Sequence, residues 1–190
     1  MGHKNCRQLR VEPDESQLKE ISIRTGLSKE QLFLMHQEFV KDCPNGRLSQ
    51  KMFTKMYNQF YTNGNAKKFC KLCFMAYDRD KNGYIDFYEY ASVMGILLNG
   101  DIKDKLKLAF NIYDCNDDGH IEKKEAEKIV QSIFEMYGES LPSKAINNEA
   151  LRLMQKFDSD KNGLITEKEF IEGCLRDDDL KRIFVPLFNT

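Results

Sequence analysis

The sequence predicts an all-α protein of four helix–loop–helix units arranged in two pairs, with a short antiparallel strand contact between the loops of each pair. Three observations predict it. Related stretches begin at Lys41, Asp78, Asp114 and Asp158, an internal repeat with a period of roughly forty residues. Apolar residues recur at helical spacing before and after these stretches. The eighth position of each stretch is apolar (Leu48, Ile85, Ile121 and Ile165), which suits a short strand lying against its neighbour and couples the first stretch with the second and the third with the fourth.

Taken in order, residues 1–27 form an N-terminal arm with room for one short helix. Ser28 followed by Gln31 makes a capping box and opens a helix that runs to about Val40. Residues 28–98 are the first pair. Phe69, Leu72, Cys73 and Tyr77 lead into its second loop, and Phe87, Tyr90, Met94 and Leu97 follow it. Asn99–Gly100 is a linker too short to let the halves drift apart. Residues 101–175 are the second pair, with Leu106, Phe110 and Tyr113 before the third loop, Ile129, Ile133 and Tyr137 after it, and Leu151, Met154 and Phe157 before the fourth. Residues 138–148, which hold Pro142, read as a flexible link inside that half. Residues 176–190 are a C-terminal helix and tail, capped by Asp177, running to Phe184 and ended by Pro186.

The last three stretches are DRDKNGYIDFYE, DCNDDGHIEKKE and DSDKNGLITEKE. Each follows the EF-hand loop pattern, in which a hard cation that wants six to eight oxygens is wrapped by a twelve-residue turn. In the first of them Asp78, Asp80 and Asn82 offer side-chain oxygens. Gly83 takes the sharp turn, Tyr84 offers its carbonyl, Asp86 stands at the ninth position, and Glu89 closes the shell with both carboxylate oxygens. The next repeats this with Asp114, Asn116, Asp118, His120 (carbonyl), Glu122 and Glu125. The last has Asp158, Asp160, Asn162, Leu164 (carbonyl), Thr166 and Glu169, and the missing carboxylate at Thr166 predicts weaker binding there. The cofactor expected is Ca2+ at up to three sites, with Mg2+ an occupant at low calcium. A Glu at position 12 in every loop favours calcium's higher coordination number.

The frame from Lys41 to Met52, KDCPNGRLSQKM, keeps the turn and loses the chemistry. Lys41 puts a cation where a carboxylate belongs, Cys43 offers soft sulfur, Pro44 fixes φ, and Met52 has no carboxylate. Gly46 and Leu48 remain, so the hand should fold without binding an ion.

The chain has 190 residues, 41% hydrophobic and 31% charged, with a net charge of −1, the profile of a globular protein without the basic surplus of a nucleic-acid binder. No apolar run approaches the ~20 residues that span a bilayer. The N-terminus lacks the apolar core of a secretory signal. Six scattered cysteines (Cys6, Cys43, Cys70, Cys73, Cys115 and Cys174) read as reduced thiols of a cytoplasmic protein. Cys70 and Cys73, in a helical pattern with no second Cys or His pair near, read as helix-face thiols rather than a zinc or redox site.

With intact second, third and fourth loops and a Cys-Pro-spoiled first, the chain resembles the neuronal calcium sensor family. KDCPNGRLS, YIDFYEY, KLKLAFNIYD and the start MGHKNC carry the resemblance, which covers nearly the whole chain. It implies that calcium exposes an apolar groove in the N-terminal half, formed here by Met35, Phe39, Phe53, Tyr57, Phe60, Tyr61, Phe87, Tyr90 and Met94. It also implies a myristoyl chain on Gly2 released by calcium, although the usual Ser or Thr of that signal is Cys6 here. One such chain holds a membrane weakly, so a second signal is needed. Arg7, Arg10 and an acylated Cys6 are the candidates, against an unmodified arm.

The function expected is a calcium sensor that captures a partner's amphipathic helix, with peripheral membrane association if acylated and no nucleic-acid partner. The alternatives are a cytosolic calcium buffer, whose hands barely open, or a guanylyl cyclase- or channel-regulating subtype of sensor. No nucleophile with a placed base is present, so no enzyme is expected. His3 lies in the arm, His120 serves through its carbonyl, and His36 is expected on the surface of its helix.

Overall fold

In the computed structural model, residues 14–59, 64–178 and 180 are described. The helices are α1 (Glu15–Thr25), α2 (Lys29–Asp42), α3 (Gln50–Tyr57), α4 (Lys67–Tyr77), α5 (Phe87–Asn99), α6 (Ile102–Tyr113), α7 (Lys123–Met136), α8 (Ser143–Phe157) and α9 (Glu167–Arg176). Between them lie β1 (Leu48–Ser49), β2 (Tyr84–Ile85), β3 (His120–Glu122) and β4 (Leu164–Thr166). The fold is all-α, and the hands are α2–α3, α4–α5, α6–α7 and α8–α9.

Helix starts are written in the sequence. Ser28 caps α2 by accepting from the Gln31 N–H at 3.2 Å, while the Gln31 side chain accepts from the Ser28 N–H at 2.8 Å. Asp86, Asp101 and Thr166 cap α5, α6 and α9 with the same reciprocal box. In the hands the loop therefore does two jobs: position 9 caps the exit helix whose third residue is the position-12 Glu.

The eighth loop positions pair as two antiparallel ladders. Leu48 faces Ile85 in β1–β2, and Ile121 faces Ile165 in β3–β4. All four are buried, so each ladder is pinned from beneath by core packing. Arg47 lies over the Tyr84 ring at 5.3 Å, a cation–π contact across the first ladder. The spoiled hand thus keeps its place as the structural mate of the hand at 78–89.

α1 lies along α5. Thr25 fills the space above Gly95, where a Cβ would collide with it. Asn99 Nδ2 donates to the Thr25 carbonyl at 3.0 Å, Arg24 hydrogen-bonds Ser92, and the Asp14 N–H donates to the Tyr88 hydroxyl.

The halves meet where α4 packs on α7 and α6. The Asn65 N–H donates to the Glu135 carbonyl at 2.7 Å, and Lys68 pairs with the Glu135 carboxylate at 2.7 Å. A Cβ on Gly64 would lie 2.5 Å from the Met136 carbonyl carbon and 2.6 Å from the Gly138 nitrogen, so only glycine lets the backbones approach this closely.

Two expectations need correcting here. The flexible link over 138–148 is shorter than the sequence suggested: Pro142 is the N-cap of α8 and residues 143–148 are helical. Proline lacks an N–H to lose and suits a helix start, so it marks an entry rather than a hinge. Tyr137 and Leu151, placed on the buried stripes by periodicity, are exposed. The stripe on α8 runs through Ala150, Leu153, Met154 and Phe157 instead. Of the C-terminal helix, Asp177 Oδ1 accepts from the Leu180 N–H at 3.2 Å, and Leu180 is buried. Phe184 and Pro186 lie outside the described residues.

Candidate metal centres

Each intact loop follows an entering helix that ends on the first acidic residue: Asp78, Asp114 and Asp158 are the C-caps of α4, α6 and α8. In all three the first Asp accepts two backbone N–H groups across the turn. Asp78 takes those of Asn82 (3.0 Å) and Gly83 (2.9 Å), Asp114 those of Asp118 (3.1 Å) and Gly119 (2.8 Å), and Asp158 those of Asn162 (3.1 Å) and Gly163 (2.8 Å). Positions 3 and 5 join through side-chain amides: Asn82 donates to Asp80 at 2.7 Å, Asn116 to Asp118 at 2.8 Å, and Asn162 to Asp160 at 3.0 Å. The position-5 oxygens of Asn82, Asp118 and Asn162 each accept the backbone N–H of position 7 (Tyr84, His120 and Leu164).

The position-12 glutamates reach back over the loops. Glu89 accepts from the N–H groups of Arg79 (2.8 Å) and Asp86 (3.0 Å), and Glu125 from those of Cys115 (2.8 Å) and Glu122 (3.1 Å). Glu169 takes the N–H groups of Ser159 (2.9 Å) and Thr166 (3.0 Å) and, in addition, both their hydroxyls at 2.9 Å. Burial pushes the Glu89 and Glu125 carboxyls up, opposed by their backbone hydrogen bonds. Burial pushes Glu169 up too, but the bonds from Thr166 and Ser159 outweigh it and hold that carboxyl at about 2.

Carboxylate oxygens of Asp78, Asp80 and Glu89 gather within 4.8 Å of one another, as do those of Asp158, Asp160 and Glu169. Converging anionic oxygens at this spacing fit a hard divalent cation, whose own charge relieves their repulsion. The loop at 114–125 presents the Asn116 amide at position 3, so its donor set is less charged there. The ninth positions Asp86 and Thr166 cap their exit helices through the side chain, and Glu122 stands at the same place before α7.

The loop at 41–52 gathers no such group. Cys43 and Met52 bring their sulfurs to 3.8 Å, and Lys41 turns away to Glu38 at 3.3 Å. A further obstacle was not drawn from the sequence. Position 4 is left-handed in every intact loop, with φ of 57° at Lys81, 62° at Asp117 and 61° at Lys161. Proline is locked near −65°, so Pro44 forbids the backbone that aims the donors inward. The uniform non-proline residue at position 4 of the other loops was the available signal.

Of the groove set, Phe39, Phe53 and Phe87 are each 5% exposed and belong to the core, while Met35, Tyr57, Tyr90 and Met94 are half-buried. Two ring clusters result. Phe39 packs on Phe87 (5.8 Å) and Tyr90 (5.3 Å), and Phe53 packs on Tyr57 (4.7 Å), Phe74 (5.9 Å) and Tyr77 (5.7 Å). The conformation described is thus one in which these rings cover each other. His36 is not a free surface residue: it is half-buried, edge-on to Phe87 at 4.7 Å. Phe60, Tyr61, Gly2, Cys6, Arg7 and Arg10 lie outside the described residues.

Cys43, Cys70, Cys73 and Cys174 are buried thiols and Cys115 a half-buried one, and none of these five is in a disulfide. Burial lifts the Cys70 thiol to about 12 and pushes the Cys73 thiol well above its ordinary value, which leaves both unreactive. Among the described residues no helix is long and apolar enough to cross a membrane.

This fold and these loops define an EF-hand calcium-binding protein. The EF-hand domain pair profile matches residues 103–175, and an EF hand profile matches residues 71–94. Over 179 residues the chain is 34% identical to neuronal calcium sensor 1 of Lymnaea stagnalis, covering 90% of this chain and 91% of the relative. It is 32% identical over 176 residues to human recoverin (87% of this chain, 86% of the relative) and to S-modulin of Aquarana catesbeiana (87% and 85%). The chain belongs to the neuronal calcium sensor family. It is a non-enzymatic member of that family of EF-hand sensors.

Proposed function

We propose that this protein senses calcium at up to three sites (Asp78 to Glu89, Asp114 to Glu125 and Asp158 to Glu169) and answers by uncovering an apolar groove that captures a partner's amphipathic helix. A bound calcium ion supplies a hard cationic centre that draws oxygens from both flanking helices. The observation carrying the reading is the placement of Glu89, Glu125 and Glu169. Each is the third residue of its exit helix, while the first aspartate of the same loop ends the entering helix. A ligand shared by these two residues ties the angle between the helices to occupancy.

Opening α4–α5 would shift α5 against α2 and α4 against α3, parting Phe39 from Phe87 and Tyr90 and Phe53 from Phe74 and Tyr77, which now cover each other. Flexible Met35 and Met94 suit a surface that repacks on a partner. A myristoyl chain on Gly2, with Arg7, Arg10 and Cys6 as supporting membrane signals, would carry the complex to a lipid surface. Mg2+ would hold the loops when calcium is low. The spoiled first hand supports this reading over a pure buffer: it binds no ion and is retained as the wall of the groove.

The test is a calcium titration of the metal-stripped protein, following uptake of an apolar dye and retention of a helical peptide, for wild type and for Glu89→Gln, Glu125→Gln and Glu169→Gln. Each variant should lose one ion by calorimetry, and Glu89→Gln should lose partner capture most. Flat dye uptake in wild type refutes the sensor, and equal capture by all four proteins refutes the leading role of the loop at 78–89.

A further inference from the structure

α4 carries three lysines and no acidic residue, in a chain whose net charge is −1. Lys68, Lys71, Leu72 and Met75 stand at i, i+3, i+4 and i+7, so they share one face of the helix. That face lies across α4 from Phe74 and Tyr77, whose rings pack on Phe53. Met75 is 46% exposed on it, and Leu72 is half-buried.

At Met75 a cleft of about 610 Å3 opens between α4 and α6. Leu72, Met75 and Ala76 line it from α4, and Ile112 lines it from α6. Sites that enclose a bound group have volumes of about 300–1,000 Å3. The charges around the cleft are uneven. Lys81 and Asp117 offset each other in a pair at 3.3 Å. Asp78 and Asp114 reach the cleft, but each is drawn into its own loop by two backbone N–H groups. Arg79 is left, exposed and in no ion pair with a described residue. Lys71 on α4 is exposed and unpaired in the same way. So is Lys128 of α7, which is near enough to act on the Cys115 thiol that lines the cleft.

A cationic rim around an apolar lining calls for an anionic partner with an apolar anchor. The eleven residues of α4 span about 16 Å, with lysines from the first turn onward, so the complement is a chain rather than one small ion. A concave site also admits a protruding side chain better than a flat bilayer. We propose that the outer face of α4 and the cleft it shares with α6 dock an acidic peptide segment of a partner, with one apolar side chain of that segment seated between Met75 and Ile112. This surface is separate from the groove of α2, α3 and α5 and does not rest on it. Asp78 and Asp114 belong to the metal loops on either side of the cleft. Calcium held there offsets their charge, so capture of an acidic segment tightens with calcium.

The experiment uses the full chain, metal-stripped and calcium-loaded. The probes are a labelled helix of Glu and Ala with one central Leu, the same helix with Lys for every Glu, and phosphatidylcholine vesicles with and without phosphatidylserine. Fluorescence anisotropy reads peptide binding, and co-sedimentation reads vesicle binding. Wild type should bind the acidic helix, more tightly with calcium than without and less tightly as salt is raised. The double variant Lys71→Glu, Lys128→Glu should lose at least about tenfold in affinity for it, because each attraction becomes a repulsion. Met75→Ala should lose about threefold through the missing apolar contact. The double variant should also bind the Lys helix more tightly than wild type does, an exchange that misfolding does not produce. Wild-type affinity for the acidic helix that is unchanged in both variants overturns the proposal, as does a wild type that binds no acidic helix. Affinity that fails to rise with calcium overturns it too. Loss of phosphatidylserine vesicles by the variants, with the acidic helix bound equally by all, assigns the face to a membrane and overturns the peptide.

Discussion

Gly64→Ala tests the junction between the halves. The added Cβ would lie 2.5 Å from the Met136 carbonyl carbon and 2.6 Å from the Gly138 nitrogen, and closer still to the Met136 carbonyl oxygen. Ordinary contact begins near 3.4 Å, so the two backbones must separate by about 1 Å. All three obstructing atoms are main chain, and no side-chain rotation relieves them. Overpacking of this kind costs about 1–3 kcal/mol. The separation also stretches the bond from the Asn65 N–H to the Glu135 carbonyl, now 2.7 Å, whose loss adds about 1 kcal/mol. The expected destabilisation of the metal-free protein is therefore about 2–4 kcal/mol, or roughly 5–12 °C in melting temperature for a chain of this size. Thermal and urea unfolding by circular dichroism measure it, with tyrosine emission as the second probe because the chain has no tryptophan. Lys68→Ala is the control. It removes the Lys68–Glu135 ion pair, whose lysine is half exposed, and should cost no more than about 1 kcal/mol. A Gly64→Ala protein that melts within about 1 °C of wild type would show that the close approach carries no stability. Equal losses in the two variants would show that the ion pair, not the steric fit, joins the halves.

Two further outcomes follow from the loops. Replacing Lys41→Asp, Cys43→Asp and Met52→Glu together should add no calcium ion by calorimetry while Pro44 remains, whereas adding Pro44→Lys to that set should add one, because only then can position 4 take the positive φ seen at Lys81, Asp117 and Lys161. In the metal-free protein, carbon-13 spectra should show Glu169 titrating near 2 while Glu89 and Glu125 titrate above the ordinary 4.5. The depressed Glu169 carboxyl contributes stability that is full above 4.5 and is lost as pH falls toward about 2, while the raised pair has the opposite sign and favours the metal-free fold on acidification. Co-titration of all three carboxyls would refute the account of the Ser159 and Thr166 hydroxyls.

The hands were legible because their signals are local. A calcium loop must place its donors, its turn and its closing carboxylate within a few residues of one another, and a helix start is set by its own cap. Asp78, Gly83 and Glu89, or Ser28 with Gln31, therefore announce themselves without any neighbour. Helical periodicity located Phe110, Tyr113, Ile129 and Ile133 in the core but misplaced Tyr137, which is the C-cap of α7, and Leu151, which lies in mid-α8 just off the buried stripe through Ala150, Leu153, Met154 and Phe157. Pro142 was read as a loop residue because proline ends helices as readily as it begins them. Only the position of the neighbouring α7 shows which applies.

By itself the sequence determined the all-α fold, the pairing order of the hands, the three oxygen-rich loops and the loss of the first, because each depends on residues adjacent along the chain. Tertiary structure alone decided which rings of the groove half cover one another, and that Gly64 is a point of close backbone approach between the two halves. Those depend on distances between segments remote in sequence, where a shift of about 1 Å separates a hydrogen bond from an orphaned group.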